Sequence, residues 1–240
     1  MRIPLTRYGL PQVLIFPLIV LVLMFGLFVI FGNVPWLIPV EIFLFCVLIW
    51  LLSFFRDPLR TIIPDEKILY SPADATITEI SVVDNSTFGD DSTFGDDSTF
   101  GDDSAGVKAM KISMFLSIFN VHVNRVPCSV RIEKVTYKKG QFKNAMSPEA
   151  SRINESNDVL MTRLYDPKER LLLRQITGAI ARHIVCEAKE AGEYKQGDSY
   201  GMMKFGSRAE LYLPHGEHFE VAVKIGDKVR AGLTPIIRYK

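Results

Sequence analysis

A chain of 240 residues with 28 basic and 27 acidic side chains has no basic excess, so no nucleic-acid surface is indicated by charge. Its three cysteines, Cys46, Cys128 and Cys186, are scattered and odd in number. That argues against a disulfide framework and a zinc site and fits reduced thiols; no metal site is expected.

The N-terminal segment is far more apolar than the rest. Val13 to Phe31 is an uncharged apolar run broken only by Pro17 and Gly26, and Leu37 to Phe55 is a second run whose one acid is Glu41. Gly32-Asn33-Val34-Pro35-Trp36 between them is turn-forming. A helix needs about 20 apolar residues to cross the hydrocarbon core. The two runs therefore predict a membrane-embedded α-helical hairpin over residues 1–60. Arg2 and Arg7 precede it, Arg56 and Arg60 follow it, and the connection carries no base, so both ends are expected on the cytoplasmic side of the cell membrane. Trp36, Trp50, Phe54 and Phe55 are candidate interfacial anchors. A cleaved signal peptide fits poorly, because the apolar part is too long and doubled. A spanning hairpin and a re-entrant one both stay open. Arg56, Arg60 and Lys67 are expected near the interface, where anionic lipid attracts bases, although the two arginines can equally serve only to set topology.

From residue 61 to 240 the periodicity changes to two, which predicts a mainly β catalytic domain. Strands are expected over Thr76–Val83, Lys108–Leu116, Asn120–Asn124, Val130–Tyr137, Ala179–Ala188, Ala209–Leu213 and Phe219–Val223, with a short helix around Pro148–Asn154. A low-complexity acidic insert occupies residues 84–106, where Ser-Thr-Phe-Gly-Asp-Asp occurs three times in tandem from Ser86. It is too short and polar to bury a core and lacks the register of a calcium loop, so a solvated extension between strands is expected.

Several short motifs follow one another in a fixed order. Phe54-Phe-Arg-Asp-Pro58 closes the second apolar run, and Ser71-Pro-Ala-Asp74 follows. Next come Phe119-Asn-Val-His-Val-Asn-Arg-Val-Pro127, Gln175-Ile-Thr-Gly178 and Ala181-Arg-His-Ile-Val185. Lys204-Phe-Gly-Ser-Arg208 then leads into Leu211-Tyr-Leu-Pro214. This series resembles the short form of phosphatidylserine decarboxylase, from about Phe54 to the C-terminus.

The resemblance implies a zymogen that cuts itself between Gly206 and Ser207, leaving fragments 1–206 and 207–240 associated. Ser207 would become a covalent pyruvoyl group, the only cofactor. Through a Schiff base with it, phosphatidylserine in the membrane would be decarboxylated to phosphatidylethanolamine, a step of phospholipid biosynthesis. The residue types suit this chemistry. A serine hydroxyl needs a base within hydrogen-bond reach, and glycine on the acyl side leaves the carbonyl uncrowded. His122, on the polar face of its segment, is the expected base; Asp74 is expected to accept from its other ring nitrogen, as in an Asp-His-Ser arrangement. The resemblance supports the same three roles. The family usually has glycine after this aspartate, whereas this chain has Ala75.

Other readings differ in substrate or class. A serine-headgroup lipid such as archaetidylserine would undergo the same chemistry. A soluble amino-acid substrate would need no anchor. A non-enzymatic membrane-tethered adapter is suggested by Val223–Gly232, which resembles the turn of lipoyl-type β modules. His215 and His218 are expected in a hairpin turn, and His183 within a strand. Self-association beyond the two fragments is left open.

Overall fold

The computed structural model describes residues 5–32, 34–84, 108–179, 183–204 and 206–240. The acidic repeat lies outside the described residues. The chain divides into two compact units, Met1–Leu59 and Arg60–Lys240.

In the first unit a 3-10 turn over Arg7–Gly9 leads into helix α1 (Leu10–Phe31), and α2 (Leu37–Phe54) returns beside it. Pro11 falls in the first turn of α1, where a missing N–H costs nothing, and Gly32 closes the helix at φ +63°. Both helices are apolar all round, and most of their large side chains are exposed, as suits a surface whose solvent is lipid. The unit is pinned at its base, where Thr6 N–H donates to the Phe55 carbonyl at 2.8 Å and the Phe55 ring packs against Gly9. α1 begins three residues earlier than the apolar run does, because Leu10, Pro11 and Gln12 continue the helix outward.

The second unit is mainly β, with strands β1 (Ile68–Tyr70), β2 (Ala75–Asp84), β3 (Lys108–Leu116), β4 (Val123–Arg125), β5 (Val130–Lys138), β6 (Ser156–Arg163) and β7 (Arg170–Ile176). After them come β8 (Ile184–Cys186), β9 (Glu193–Tyr194), β10 (Ser199–Met203), β11 (Ser207–Pro214), β12 (Phe219–Val221), β13 (Lys228–Val229) and β14 (Pro235–Tyr239). One turn of helix, α3 (Ala150–Ile153), lies between β5 and β6. Eight strands form an antiparallel sheet in the order β13-β2-β3-β11-β7-β6-β5-β9, which curls into a half-barrel. Two three-stranded sheets, β1-β14-β12 and β4-β10-β8, complete the unit.

Strand β11 is central in the large sheet, with β3 on one side and β7 on the other. Side chains alternate across a strand. Ala209, Leu211 and Leu213 therefore join Ile112, Met114 and Leu116 of β3 and Leu171 and Leu173 of β7 in the main core. Arg208, Glu210 and Tyr212 occupy the opposite face.

Three local expectations are corrected. The Asn120–Asn124 segment is not a strand throughout: residues 118–120 form a turn and β4 starts at Val123, so His122 stands on a loop just before it. Among the described residues of the segment 179–188, extended pairing is limited to β8, and His183 immediately precedes that strand rather than lying in it. The strand expected over Phe219–Val223 ends at Val221. Strands β6 and β7, both inside the large sheet, were not expected. Their burial is nearly continuous, which hides the alternation that marks a half-exposed strand.

Candidate active site

The Gly206–Ser207 step sits where the chain enters β11. Ser207 is the first residue of that strand and lies opposite Leu116 of β3. It is fully buried, and its Oγ has no hydrogen-bond partner. Gly206 has φ +71°, a left-handed conformation that a residue with a Cβ adopts only with strain, so glycine here is a conformational requirement. Its carbonyl packs directly on Gly178, where an added Cβ would lie 2.3 Å from Gly206 O. Thus the Gly178 of Gln-Ile-Thr-Gly leaves room for the carbonyl of the Gly-Ser pair.

His122 reaches the same step. Its Nε2 accepts from Gly206 N–H at 3.4 Å, and its Nδ1 lies 3.0 Å from the Asn120 carbonyl. A carbonyl only accepts, so Nδ1 carries the proton and Nε2 is left as the lone-pair nitrogen. The ring is completely buried.

Asp74 is held differently from the expected pattern. Its two oxygens receive the Arg60 guanidinium at 2.7 and 2.8 Å, and Oδ1 also accepts from Ala231 N–H at 2.8 Å. The partner given to His122 Nδ1 is a backbone carbonyl rather than this carboxylate. Arg60, expected near the lipid interface or as a determinant of topology, has a side chain only 5% exposed and committed to Asp74 and the Ala231 carbonyl. Arg56 folds back onto Ser53, donating to its carbonyl at 2.7 Å and its hydroxyl at 3.0 Å.

Around Ser207 the core face carries three neutral polar side chains. Asn157 Nδ2 donates to Gln175 Oε1 at 3.2 Å, and Gln175 Nε2 donates to Asn124 Oδ1 at 2.9 Å. All three are buried. The opposite face is ionic. Arg208 contacts Glu210 at 2.8 Å and Glu79 at 3.0 Å, and Lys111 contacts Glu79 at 2.9 Å. Arg174 grips Asp158 through two hydrogen bonds of 2.6 and 2.7 Å. Burial disfavours the Glu79 carboxylate, but hydrogen bonds from Lys111 and Ser81 and the charges of Lys111 and Arg208 outweigh it and hold Glu79 below the usual carboxylate range. Burial, with Glu210 alongside, pushes the Tyr212 phenol up. A cavity of about 300 Å³ opens on this face beside Arg208, Glu79, Phe115, Ala145 and Met146.

Burial pushes Lys204, three residues before Ser207, below the ordinary lysine range. His218 stands beside β12, with Nε2 3.1 Å from Glu169 and its ring stacked on Tyr239; His215 follows the end of β11. Burial pushes the Cys128 thiol up to about 12, and all three cysteines are free.

Sequence reasoning singled out the Gly-Ser step and His122, gave Arg60 only an interfacial or topological role, and assigned none to Asn124, Gln175 or Gly178. Gln175 and Gly178 stood in a quoted motif, and Asn124 follows His122 by two positions. What joins them is contact between segments distant in the chain, which no local pattern reports.

A buried, unpartnered serine beside a left-handed glycine and a lone-pair histidine nitrogen places this chain among enzymes. The sequence model of the phosphatidylserine decarboxylase family matches residues 47–237. The chain is 35% identical to a phosphatidylserine decarboxylase proenzyme of Rhodopirellula baltica over 239 residues, covering 99% of this chain and 89% of that one. It is 40% identical over 187 residues to the proenzyme of that name in Pelagibacter ubique, covering 78% of each. The corresponding protein of Carboxydothermus hydrogenoformans is 40% identical over 196 residues, with 82% and 83% covered. The protein is therefore a decarboxylase. It belongs to the phosphatidylserine decarboxylase family. The adapter reading falls with that membership.

Proposed function

We propose that the chain is made as a precursor that cuts itself at Gly206–Ser207, and that Ser207 becomes the pyruvoyl group with which it decarboxylates phosphatidylserine. One observation carries this: Ser207 Oγ is buried without a partner, directly after a glycine whose N–H meets His122 Nε2. An orphaned buried hydroxyl costs about 1–3 kcal/mol, so it needs a reason. A nucleophile is such a reason.

The residues fit the group. Ser207 stands on an apolar face, opposite Leu116 and two positions from Ala209, where a small uncharged cap is accommodated. When formed, the pyruvoyl group supplies the electron sink that decarboxylation requires. His122 Nε2 takes the proton from Ser207 Oγ as Oγ attacks the Gly206 carbonyl, then returns it to the departing nitrogen. The Nδ1–H bond to Asn120 O fixes the ring for this task. Asp74 contributes through position. It ties Arg60 of the upstream segment to Ala231 of the downstream fragment, so it helps keep residues 1–206 and 207–240 together after cleavage.

The two apolar helices are long enough to cross a bilayer and hold the enzyme against its lipid. The basic residues that flank them favour a cytoplasmic catalytic domain. Residues 61–240 are read as that domain, with the repeat as an insert in it.

The test is an intact mass of the chain purified from membranes. Two fragments split after Gly206, with the short one carrying a pyruvoyl mass in place of serine, are expected; Ser207→Ala should stay whole and inactive. A single uncut chain with full decarboxylase activity would sink the proposal.

A further inference from the structure

Among the described residues, five buried side-chain polar atoms have no hydrogen-bond partner: Glu41 Oε1, Asn124 Nδ2, Arg163 Nε, Ser207 Oγ and Arg208 Nε. The two arginines bond through their other nitrogens, and Glu41 lies on α2. Asn124 and Ser207 are the remaining pair; Ser207 opens β11 of the large sheet, and Asn124 lies on β4 of a three-stranded sheet, tied to the large sheet through Gln175 of β7.

Their placement follows from pairing. Gln175 lies opposite Ala209, which is two residues from Ser207 and points the same way. Gln175 Nε2 donates to Asn124 Oδ1, so the Asn124 amide is brought to the core side of β11 near its start. From the other direction, His122 stands two residues before Asn124 and meets Gly206 N–H. The orientation of the Asn124 amide is set by a relay. Asn157 donates to Gln175 and Gln175 donates to Asn124, so the relay ends on an NH₂ group with no acceptor. Asn124 is fully buried, so water does not satisfy that group from bulk solvent.

A buried donor aimed at a site and lacking an acceptor is useful once negative charge appears there. We propose that Asn124 Nδ2 is the donor for the charge that develops on the side-chain oxygen of residue 207 when the ester formed in self-cleavage is eliminated. This inference rests on the reading of Ser207 as the self-cleaving nucleophile. In the first step Oγ bonds to the Gly206 carbonyl carbon, the Gly206–Ser207 C–N bond breaks, and the nitrogen takes the proton, leaving an ester and a free amine. In the second step a base removes the α-proton of residue 207 and the Cβ–Oγ bond breaks. Oγ departs as one oxygen of the Gly206 carboxylate and carries the charge with it. The dehydroalanine left behind takes up water and releases ammonia to give the pyruvoyl cap. His122 serves the first step; the charge of the second falls on an oxygen for which the histidine supplies no donor while Nε2 is unprotonated. Asn124 supplies it.

The experiment compares the parent chain with Asn124→Asp, which keeps the oxygen that Gln175 bonds and replaces the free donor by an acceptor. Both are purified from membranes and followed by intact mass with and without hydroxylamine, which splits esters and spares amides; thermal melting checks the fold. The pyruvoyl-capped short fragment is expected to appear about 10²–10³-fold more slowly in the variant, the usual cost of losing one such donor. The variant chain should instead be split by hydroxylamine after Gly206, or release a short fragment that begins with unmodified serine. Pyruvoyl formation within about threefold of the parent rate overturns the proposal. So does a folded variant that stays uncut and hydroxylamine-resistant, since ester formation would then be what failed. If Asn124→Asp does not melt as the parent does, the neutral Asn124→Ser is read by the same products. A parent chain that is itself uncut would defeat the Ser207 reading instead, which separates the two failures.

Discussion

The two faces of strand β11 solve opposite problems with neighbouring residues. On one face Arg208, Glu210 and Tyr212 meet Glu79, Lys111, Ser151 and Arg174, and each carboxylate there has a cationic or hydroxyl partner. On the other, Ser207 and Ala209 face an apolar core into which three neutral amides are set. Charge is tolerated in a buried sheet when it is paired. A reactive hydroxyl is kept competent by the reverse arrangement, in which few partners compete for it and the nearby donor and base are not satisfied by it. The ionic face therefore holds the strand, and the neutral face carries the groups of the proposed reaction.

The sharpest way to break this contrast is Gly178→Ala, which alters neither face but fills the gap in which the scissile carbonyl rests. The added methyl would meet Gly206 O at 2.3 Å, backbone against side chain, so the Gly206–Ser207 step must shift. Misplacement of about 1 Å costs about 10²-fold in a positioned reaction. Self-cleavage, followed by the appearance of the two fragments on a denaturing gel, is expected to fall by at least that factor while the folded precursor persists. Normal cleavage would mean that the carbonyl has freedom not apparent in its packing.

The ionic face is tested by Asp158→Ala. Arg174 would lose its two short bonds and be left largely buried with its charge. Breaking a buried pair on one side costs roughly 3–5 kcal/mol, a fall in melting temperature of about 10 °C for a domain of this size. Cleavage by the fraction that folds should keep its parent rate. A variant that melts normally but cleaves slowly would reverse the assignment of the two faces.

Acid offers the smallest perturbation. Glu79 is held below its unfolded value, so its contribution to stability is present above the unfolded carboxylate range and is lost as pH falls through the folded value. Its side chain is 38% exposed, so the effect is modest. Denaturant unfolding of the parent and of Glu79→Gln should differ by a constant amount above about pH 5, and the gap should close as pH falls below the unfolded carboxylate range. A gap that widens with acid would contradict the sign.

Much of this protein was legible without coordinates, for local reasons. Two apolar runs of near-spanning length require helices, because lipid supplies no partner to the backbone and a helix satisfies its own. Alternation over Lys108–Leu116 and Val130–Tyr137 gave strands that the structure reproduces closely, since apolar side chains recur there at every second position. The Gly-Ser step and His122 were visible as a motif series. Strands β6 and β7 were not, because burial on both faces erases alternation, and neither was the loop conformation of His122.

What the sequence by itself determined is therefore the set of candidate reactive groups and the division into an apolar hairpin and a β domain, since both depend on composition and period along the chain. Tertiary structure alone decided who meets whom. It put Asp74 on Arg60 and Ala231, turned the second nitrogen of His122 to Asn120, packed Gly178 on Gly206, and ended an amide relay from Asn157 on Asn124. Those contacts span separations of up to 157 residues in the chain, and they are fixed by sheet register, in which a slip of one residue would exchange the two faces of β11.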